Sequence, residues 1–267
     1  MFISYAQNGE DVLLHRIFGQ IDKGFYIDVG AMNPYYDSVT KAFYDKGWRG
    51  INIEPVPEWF EKLCAERPDD LNLNVALSSE NGFLEFFEVV NSGLSTAVPE
   101  HAKAHQETGY AVTARKIESR SLSSILADYN PGEIHFLKID VEGFELEVLR
   151  GMDFQKYRPW VCIVESTLPN SRVENWDKWE SVLLHHDYTF VLFDGLNRFY
   201  VANEHSELKE ALSRPLARAF DVFISIYEHE KDEELARLRS ENESLRNELE
   251  LLQAQSRPGE TPAPSLF

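Results

Sequence analysis

Phe25-Tyr26-Ile27-Asp28-Val29-Gly30-Ala31 is the stretch that decides the fold. Its apolar run is short and rich in β-branched and aromatic residues, so it reads as a buried strand that ends in a glycine turn. Working outward, a helical pattern from about Ser38 to Lys46 leads to a second strand, Gly50 to Pro55. The stretch Pro57 to Arg67 is a second helix, opened by a proline suited to a first helical turn. Leu71 to Leu77 reads as a third strand. Phe83 to Val90 and Val112 to Ser119 form an inserted hairpin or edge pair around a polar loop with His101, His105 and Gly109. Helix Ser121 to Tyr129, strand Ile134 to Asp140, helix Glu145 to Met152, strand Val161 to Glu165 and a helix around Glu174 to His186 follow. Thr189 to Phe193 and Arg198 to Ala202 suggest an antiparallel pair at the end of the sheet. Alternating β and α segments with Ile, Val, Leu and Phe in the strands predict an α/β fold, a mostly parallel doubly wound sheet.

In such a sheet ligands collect beyond the carboxyl ends of the strands, so the residues that end each strand carry the functional signal. Here they are acidic: Asp28 before Gly30, Glu54-Pro55, Asp140-Val141-Glu142-Gly143, and Glu165-Ser166. One such carboxylate is most simply a cap or turn residue. Four at one rim repel one another and call for a cation or several hydroxyl groups to compensate them. Glu54, ending strand two after the glycine turn of strand one, suits both hydroxyls of an adenosine ribose. A dinucleotide would require GxGxxG, whereas the first turn reads Gly30-Ala31-Met32-Asn33-Pro34, with one glycine and a proline. S-adenosylmethionine has the ribose and adenine without a pyrophosphate, and its sulfonium suits an acidic rim.

These motifs resemble the FkbM-type family of class I S-adenosylmethionine-dependent methyltransferases. The resemblance covers roughly Ser4 to Ile224. It rests on Ser4-Tyr5-Ala6-Gln7-Asn8-Gly9-Glu10-Asp11, Tyr26-Ile27-Asp28-Val29-Gly30-Ala31, Gly47-Trp48-Arg49-Gly50-Ile51-Asn52-Ile53-Glu54-Pro55 and Leu137-Lys138-Ile139-Asp140-Val141-Glu142-Gly143-Phe144-Glu145. It implies a Rossmann-like seven-stranded methyltransferase sheet with an antiparallel terminal strand, and O-methylation of a sugar or polyketide hydroxyl. It further implies that Gly30 and Ala31 line the methionine part of the cofactor, Glu54 the ribose, and Ala76 with Leu77 the adenine edge. The segment around Gln7 and Asp11 would cover it, and Asp28, Asn33, Pro55 and Asp140 complete the expected cofactor set.

A sugar hydroxyl must lose its proton as the methyl group transfers, so a base within hydrogen-bond reach or an acidifying metal is required. The candidates are Asp140, Glu142 and Glu165. By similarity to metal-dependent sugar O-methyltransferases of antibiotic pathways, Asp140 and Glu165 would hold Mg²⁺ or Mn²⁺ and Glu142 would be the base. The sequence departs from those enzymes at Ser166, where they place a second acid. The alternative assigns Glu142 to the Gly143 turn and Asp140 to the methionine amine or a water. His101 and His105 sit four residues apart without an evident third ligand, which argues against zinc.

The chain has 267 residues and a net charge of −19, with 43% hydrophobic residues. That composition predicts a sizeable core, and a field of that sign disfavours nucleic acid and anionic membranes as partners. The two cysteines, Cys64 and Cys162, form no CxxC pair, as expected in a reducing compartment. The first residues lack a secretory pattern and no apolar stretch reaches membrane-spanning length, so the expectation is a soluble cytoplasmic protein.

Near residue 228 the composition changes to a run without aromatics, Gly or Pro. Residues 1–227 are expected to form the methyltransferase domain, 228–255 a coiled-coil helix and 256–267 a disordered tail. Leu235, Leu238, Asn242, Leu245, Leu249 and Leu252 step by three and four, an a/d stripe with Asn242 at an a position. Glu234 with Arg239 and Glu241 with Arg246 fall at g and following e positions. A parallel two-stranded coil is expected, a trimer being the second choice and an amphipathic helix packed on its own domain the third. The leading expectation is a methyltransferase acting on a glycan or other polyol hydroxyl. The alternative is a non-catalytic cofactor-fold module that dimerises or tethers a partner through the helix.

Overall fold

The computed structural model describes residues 1–256. In chain order its elements are β1 (Phe2–Ser4), α1 (Glu10–Phe18), β2 (Phe25–Val29), α2 (Lys41–Asp45), β3 (Arg49–Ile53), α3 (Pro57–Glu66), β4 (Leu71–Leu73), β5 (Ala76–Leu77), β6 (Gly82–Val89), α4 (Pro99–Glu107) and β7 (Val112–Arg120). There follow α5 (Leu122–Tyr129), β8 (Phe136–Ile139), α6 (Glu145–Arg150), β9 (Val161–Glu165), α7 (Glu180–His185), β10 (Tyr188–Phe193), β11 (Asn197–Ala202), α8 (Leu208–Leu212), β12 (Phe223–Ser225) and α9 (Ile226–Ser256).

Seven strands make one sheet in the order β10-β11-β9-β8-β2-β3-β4. Neighbours from β4 through β9 are parallel, while β11 runs antiparallel to both β9 and β10. Successive side chains of a strand point to opposite faces, and both faces are covered here. Ile27, Val29, Leu137 and Ile139 belong to one core cluster with Leu126, Val148 and Phe154. Tyr26 and Phe136 belong to a second with Leu14, Phe18 and Trp48. Each fully buried Leu, Ile or Val contributes about 1.5–3 kcal/mol, so these clusters fix the register of the strands and the level at which their carboxyl ends stop.

The face of β2 and β8 that carries Tyr26 and Phe136 turns polar toward the carboxyl ends of the strands. Asp28 and Lys138, both buried, meet there with Thr40 and Arg67: Thr40 Oγ1 donates to Asp28 Oδ2 at 2.9 Å and Arg67 donates to Thr40 Oγ1 at 2.9 Å. A buried charge is tolerated when it is paired, and this row is paired, although Asp28 Oδ1 and Arg67 Nε make no hydrogen bond among the described residues.

The structure changes several expectations. The run Leu71 to Leu77 is two strands, because Asn74 turns the chain by donating to the carbonyls of Glu54 and Pro55. β4 stays in the main sheet, whereas β5 joins β7 and β6 in a separate three-stranded sheet. The expected polar loop around His101 and His105 contains α4, opened by Pro99 and burying only Ala102 and His105. The helix expected over 174–186 is a 3-10 turn, Trp176–Lys178, followed by the shorter α7. The antiparallel strand, β11, is the last of the sheet in chain order but lies second from its edge.

The chain divides into two units after Phe223. The second contains α9, 31 residues long, on which Leu235, Leu238, Leu245, Leu249 and Leu252 are exposed. The tail reading of 256–267 lies, past Ser256, outside the described residues. No helix among the described residues is long and apolar enough to cross a membrane.

Candidate active site

β3 lies on one side of β2 and β8 on the other, so the crossover direction reverses at β2 and a crevice opens beyond its carboxyl end. A cavity of about 580 Å³ occupies that place, within the range of small-molecule sites. Gly30 makes the approach possible. It has φ 75°, and a Cβ there would come within 1.8 Å of the Asp140 carbonyl oxygen. Only glycine lets the ends of β2 and β8 close to this distance.

Gln7, Gly30, Ala31, Glu54, Pro55, Ala76, Leu77, Asp140, Glu142 and Glu165 all line the cavity. Glu54 is buried, and its two oxygens accept the backbone N–H groups of Met32 and Val56, each at 2.8 Å. Burial pushes its carboxyl up to about 7, against the pull of those two N–H groups. A carboxylate has about four lone-pair positions, so two remain for other donors. The backbone bonds also fix the rotamer of Glu54.

Three expected cofactor residues do not line the cavity. Asp11 is buried and accepts from Ser4 Oγ at 2.6 Å, Tyr5 N–H at 2.7 Å and Ala6 N–H at 3.3 Å. It pins the N-terminal turn that brings Gln7 to the cavity. Asp28 faces Thr40 and Lys138 on the far side of β2. Asn33 Oδ1 accepts from the amides of Tyr35 and Tyr36, a local turn.

In the same cavity Asp140, Glu142 and Glu165 each offer an oxygen, all within 4.8 Å of one another. Glu142 Oε2 and Glu165 Oε2 are buried and have no hydrogen-bond partner among the described residues. Burial, then the charges of Asp140 and Glu145, push the Glu142 carboxyl up to about 9. Burial and then Asp140 raise Glu165 well above the usual carboxylate range. Lys138 Nζ stands 3.2 Å from Asp140 Oδ2, 3.7 Å from Asp28 Oδ1 and 3.3 Å from the Gly30 carbonyl. Burial works against its charge, but Asp140 and Asp28 outweigh burial and hold the ammonium above its usual range.

Sequence reasoning missed Lys138, Trp59 and Phe86, which also line the cavity. The signal for Lys138 was available: a lysine inside a buried strand between two strand-end acids requires a partner. Trp59 follows Glu54 by five residues in the first turn of α3, but a tryptophan by itself does not distinguish a ligand wall from core. Among the described residues His101 and His105 join no cluster of metal-ligating side chains: His101 Nδ1 is 2.9 Å from the Glu142 carbonyl oxygen, and His105 packs edge-on against Tyr110.

The family model described as the methyltransferase FkbM domain matches residues 28–190, more than half of the chain. The match begins at Asp28 and takes in Gly30, Glu54, Asp140, Glu142 and Glu165. The chain is also similar to "Methyltransferase sdnD" of Sordaria araneosa, 29% identical over 182 residues. That alignment spans 57% of this chain and 66% of the relative, a little under two thirds of its length. A glycine-gated crevice at the reversal point of a seven-stranded sheet, within the segment that the family model matches, leads to one assignment: the chain belongs to the FkbM methyltransferase family.

Proposed function

We propose that the protein is an S-adenosylmethionine-dependent O-methyltransferase whose acceptor is a hydroxyl of a sugar or glycan. The observation that carries this is that one cavity is lined both by the ribose-type acceptor Glu54 with Gly30 and by three converging carboxyl groups, Asp140, Glu142 and Glu165. When bound, S-adenosylmethionine would supply its methyl group to a hydroxyl oxygen, the O–C bond forming as the C–S bond breaks, with S-adenosylhomocysteine as the leaving group and the hydroxyl proton passing to a nearby base. The spare lone pairs of Glu54 suit the two ribose hydroxyls, and the space beside Gly30 suits a chain with no bulky neighbour. Ala76 and Leu77 offer the adenine an apolar edge. Glu142 accepts the proton in this reading in its ionised form, which burial and Asp140 oppose and which a cation held by Asp140 and Glu165 would favour.

The same three acids fit a divalent ion. They form an all-oxygen donor set with two buried oxygen atoms that lack hydrogen-bond partners among the described residues, the chemistry that Mg²⁺ or Mn²⁺ takes. Asp140 and Glu165 would hold the ion beside Glu142, and its charge would acidify a neighbouring hydroxyl. Titration calorimetry with S-adenosylmethionine, followed by mass spectrometry of candidate glycans incubated with isotope-labelled donor, tests the assignment. Micromolar binding and labelled glycan are expected; no donor binding by a folded chain would refute it.

The second unit supports self-association. The exposed leucine stripe of α9, Asn242 within it and the g-to-e sign pattern of Glu234, Arg239, Glu241 and Arg246 favour a parallel two-stranded coil over a trimer.

A further inference from the structure

We propose that Thr96 and His101 are positioning residues for Glu142, clamping the acid-bearing turn to the cavity wall formed by the inserted segment. The proposal rests on the reading of Glu142 as proton acceptor. Glu142 and Gly143 both take left-handed backbone conformations, φ 54° and 99°. A non-glycine residue holds that conformation only where its surroundings impose it. Here they do. The Glu142 carbonyl oxygen accepts from Thr96 Oγ1 at 2.8 Å and lies 2.9 Å from His101 Nδ1. A carbonyl only accepts, so the bond requires the proton of His101 on Nδ1. Two donors satisfy both lone pairs and fix the peptide plane between Glu142 and Gly143.

Gly143 completes the clamp. A Cβ at that position would lie 2.3 Å from His101 Cε1, so the imidazole occupies the space that glycine leaves. Thr96 is itself immobilised: it is fully buried, exchanges backbone bonds of 2.8 and 3.0 Å with Phe87 of β6, and its hydroxyl also accepts the Val98 N–H. Residues 92–95 and Ala97 line the cavity on either side of it. The wall that an acceptor meets and the turn that carries the acid are thereby bonded to each other. Rotation of the turn would move Glu142 relative to Asp140 and Glu165, with which it shares the 4.8 Å cluster.

The full-length chain tests this with His101→Ala, Thr96→Val and the conservative His101→Asn, whose amide nitrogen can take the place of Nδ1. Hydrogen exchange at residues 139–145 should accelerate about tenfold in His101→Ala and Thr96→Val, the order expected for one lost hydrogen bond, and return towards wild type in His101→Asn. With labelled donor and a methylated acceptor, kcat should fall about tenfold in the two disruptive variants while the donor KM stays within threefold. Unchanged exchange, or unchanged kcat with altered exchange, would overturn the proposal. Should the disruptive variants fail to fold, ¹⁵N-histidine spectra of the wild type decide it: a protonated, slowly exchanging Nδ1 at His101 is expected, and an Nε2–H tautomer would refute the clamp. Absence of donor binding by the wild type would count against the proposed activity alone, since exchange and tautomer are read without the donor.

Discussion

The ammonium of Lys138 stands 3.2 Å from Asp140 Oδ2 at the foot of the cavity, where strand β8 delivers both residues. Lys138 also faces Asp28 on the neighbouring strand at 3.7 Å, so one buried cation serves an acid inside the cavity and an acid behind it. Removing it leaves Asp28 buried with Thr40 as its remaining hydrogen-bond donor. Lys138→Met should therefore destabilise the fold by about 3 kcal/mol, the lower end for a broken buried pair. Urea denaturation measures this, and a loss below about 1 kcal/mol would show that the pair does not hold the ends of β2 and β8 together. Lys138→Arg should not restore wild-type stability, because the planar guanidinium does not fit a point-charge site.

Gly30 is the second sensitive point. Alanine there must adopt φ 75° and place its Cβ 1.8 Å from the Asp140 carbonyl oxygen. Relief requires separation of β2 from β8 at their ends, which displaces both Glu54 and Asp140. Gly30→Ala is expected to lower Tm by several degrees and to weaken S-adenosylmethionine binding by more than about tenfold, a step of roughly 1.4 kcal/mol. Thermal unfolding with calorimetry checks both, and wild-type affinity in the variant would exclude Gly30 from the cofactor wall.

Glu54, Asp140, Glu142 and Glu165 were legible from the chain alone because each ends an apolar strand, and strand ends in a parallel sheet share one rim. Asp11, Asp28 and Asn33 look the same in sequence and do not reach the cavity. Asp28 is turned to Thr40 and Lys138, far away in the chain, and no local pattern encodes that. Asn33 and Asp11 were closer to readable, since their partners lie within seven residues. Helix α4 was illegible for a different reason. It buries only two residues, so its apolar periodicity is too weak to distinguish it from a polar loop.

Glu54 gives the site a pH dependence of known sign. Its folded carboxyl is raised to about 7 by burial, above an ordinary value of 4.5. The free protein therefore gains stability from this group below about pH 4.5 and loses it as pH rises through about 7, since the folded state binds the proton more tightly. Donor binding runs the other way. Ribose hydroxyls favour the ionised carboxylate, so affinity should rise between about pH 6 and 8 and binding should release a proton below pH 7. Calorimetry in buffers of different ionisation enthalpy measures that proton directly. Glu54→Gln should abolish its release, and persistence of the release would reassign it to another acid.

The carboxyl trio gives an independent test of the ion. Exhaustive EDTA treatment should reduce methyl transfer at least about tenfold, and Mn²⁺ should restore it, given that metal polarisation of an oxygen is worth several kcal/mol. Activity that survives EDTA would remove the ion while leaving Glu142 as the proton acceptor.

The helix α9 makes the last prediction. Its stripe of leucines is interrupted by Asn242, and a polar residue at an a position lowers stability while it specifies register and two strands. Asn242→Leu should raise the melting temperature of the assembly and broaden it from dimers to mixed dimers and trimers, because the side-chain pair that excludes the third strand is gone. Leu245→Asp puts a charge in the seam and should give monomers with unchanged S-adenosylmethionine affinity. Sedimentation velocity distinguishes these outcomes. A wild-type chain that sediments as a monomer at micromolar concentration would exclude the coil, because g-to-e pairs such as Glu234 with Arg239 add stability only between two copies of the helix.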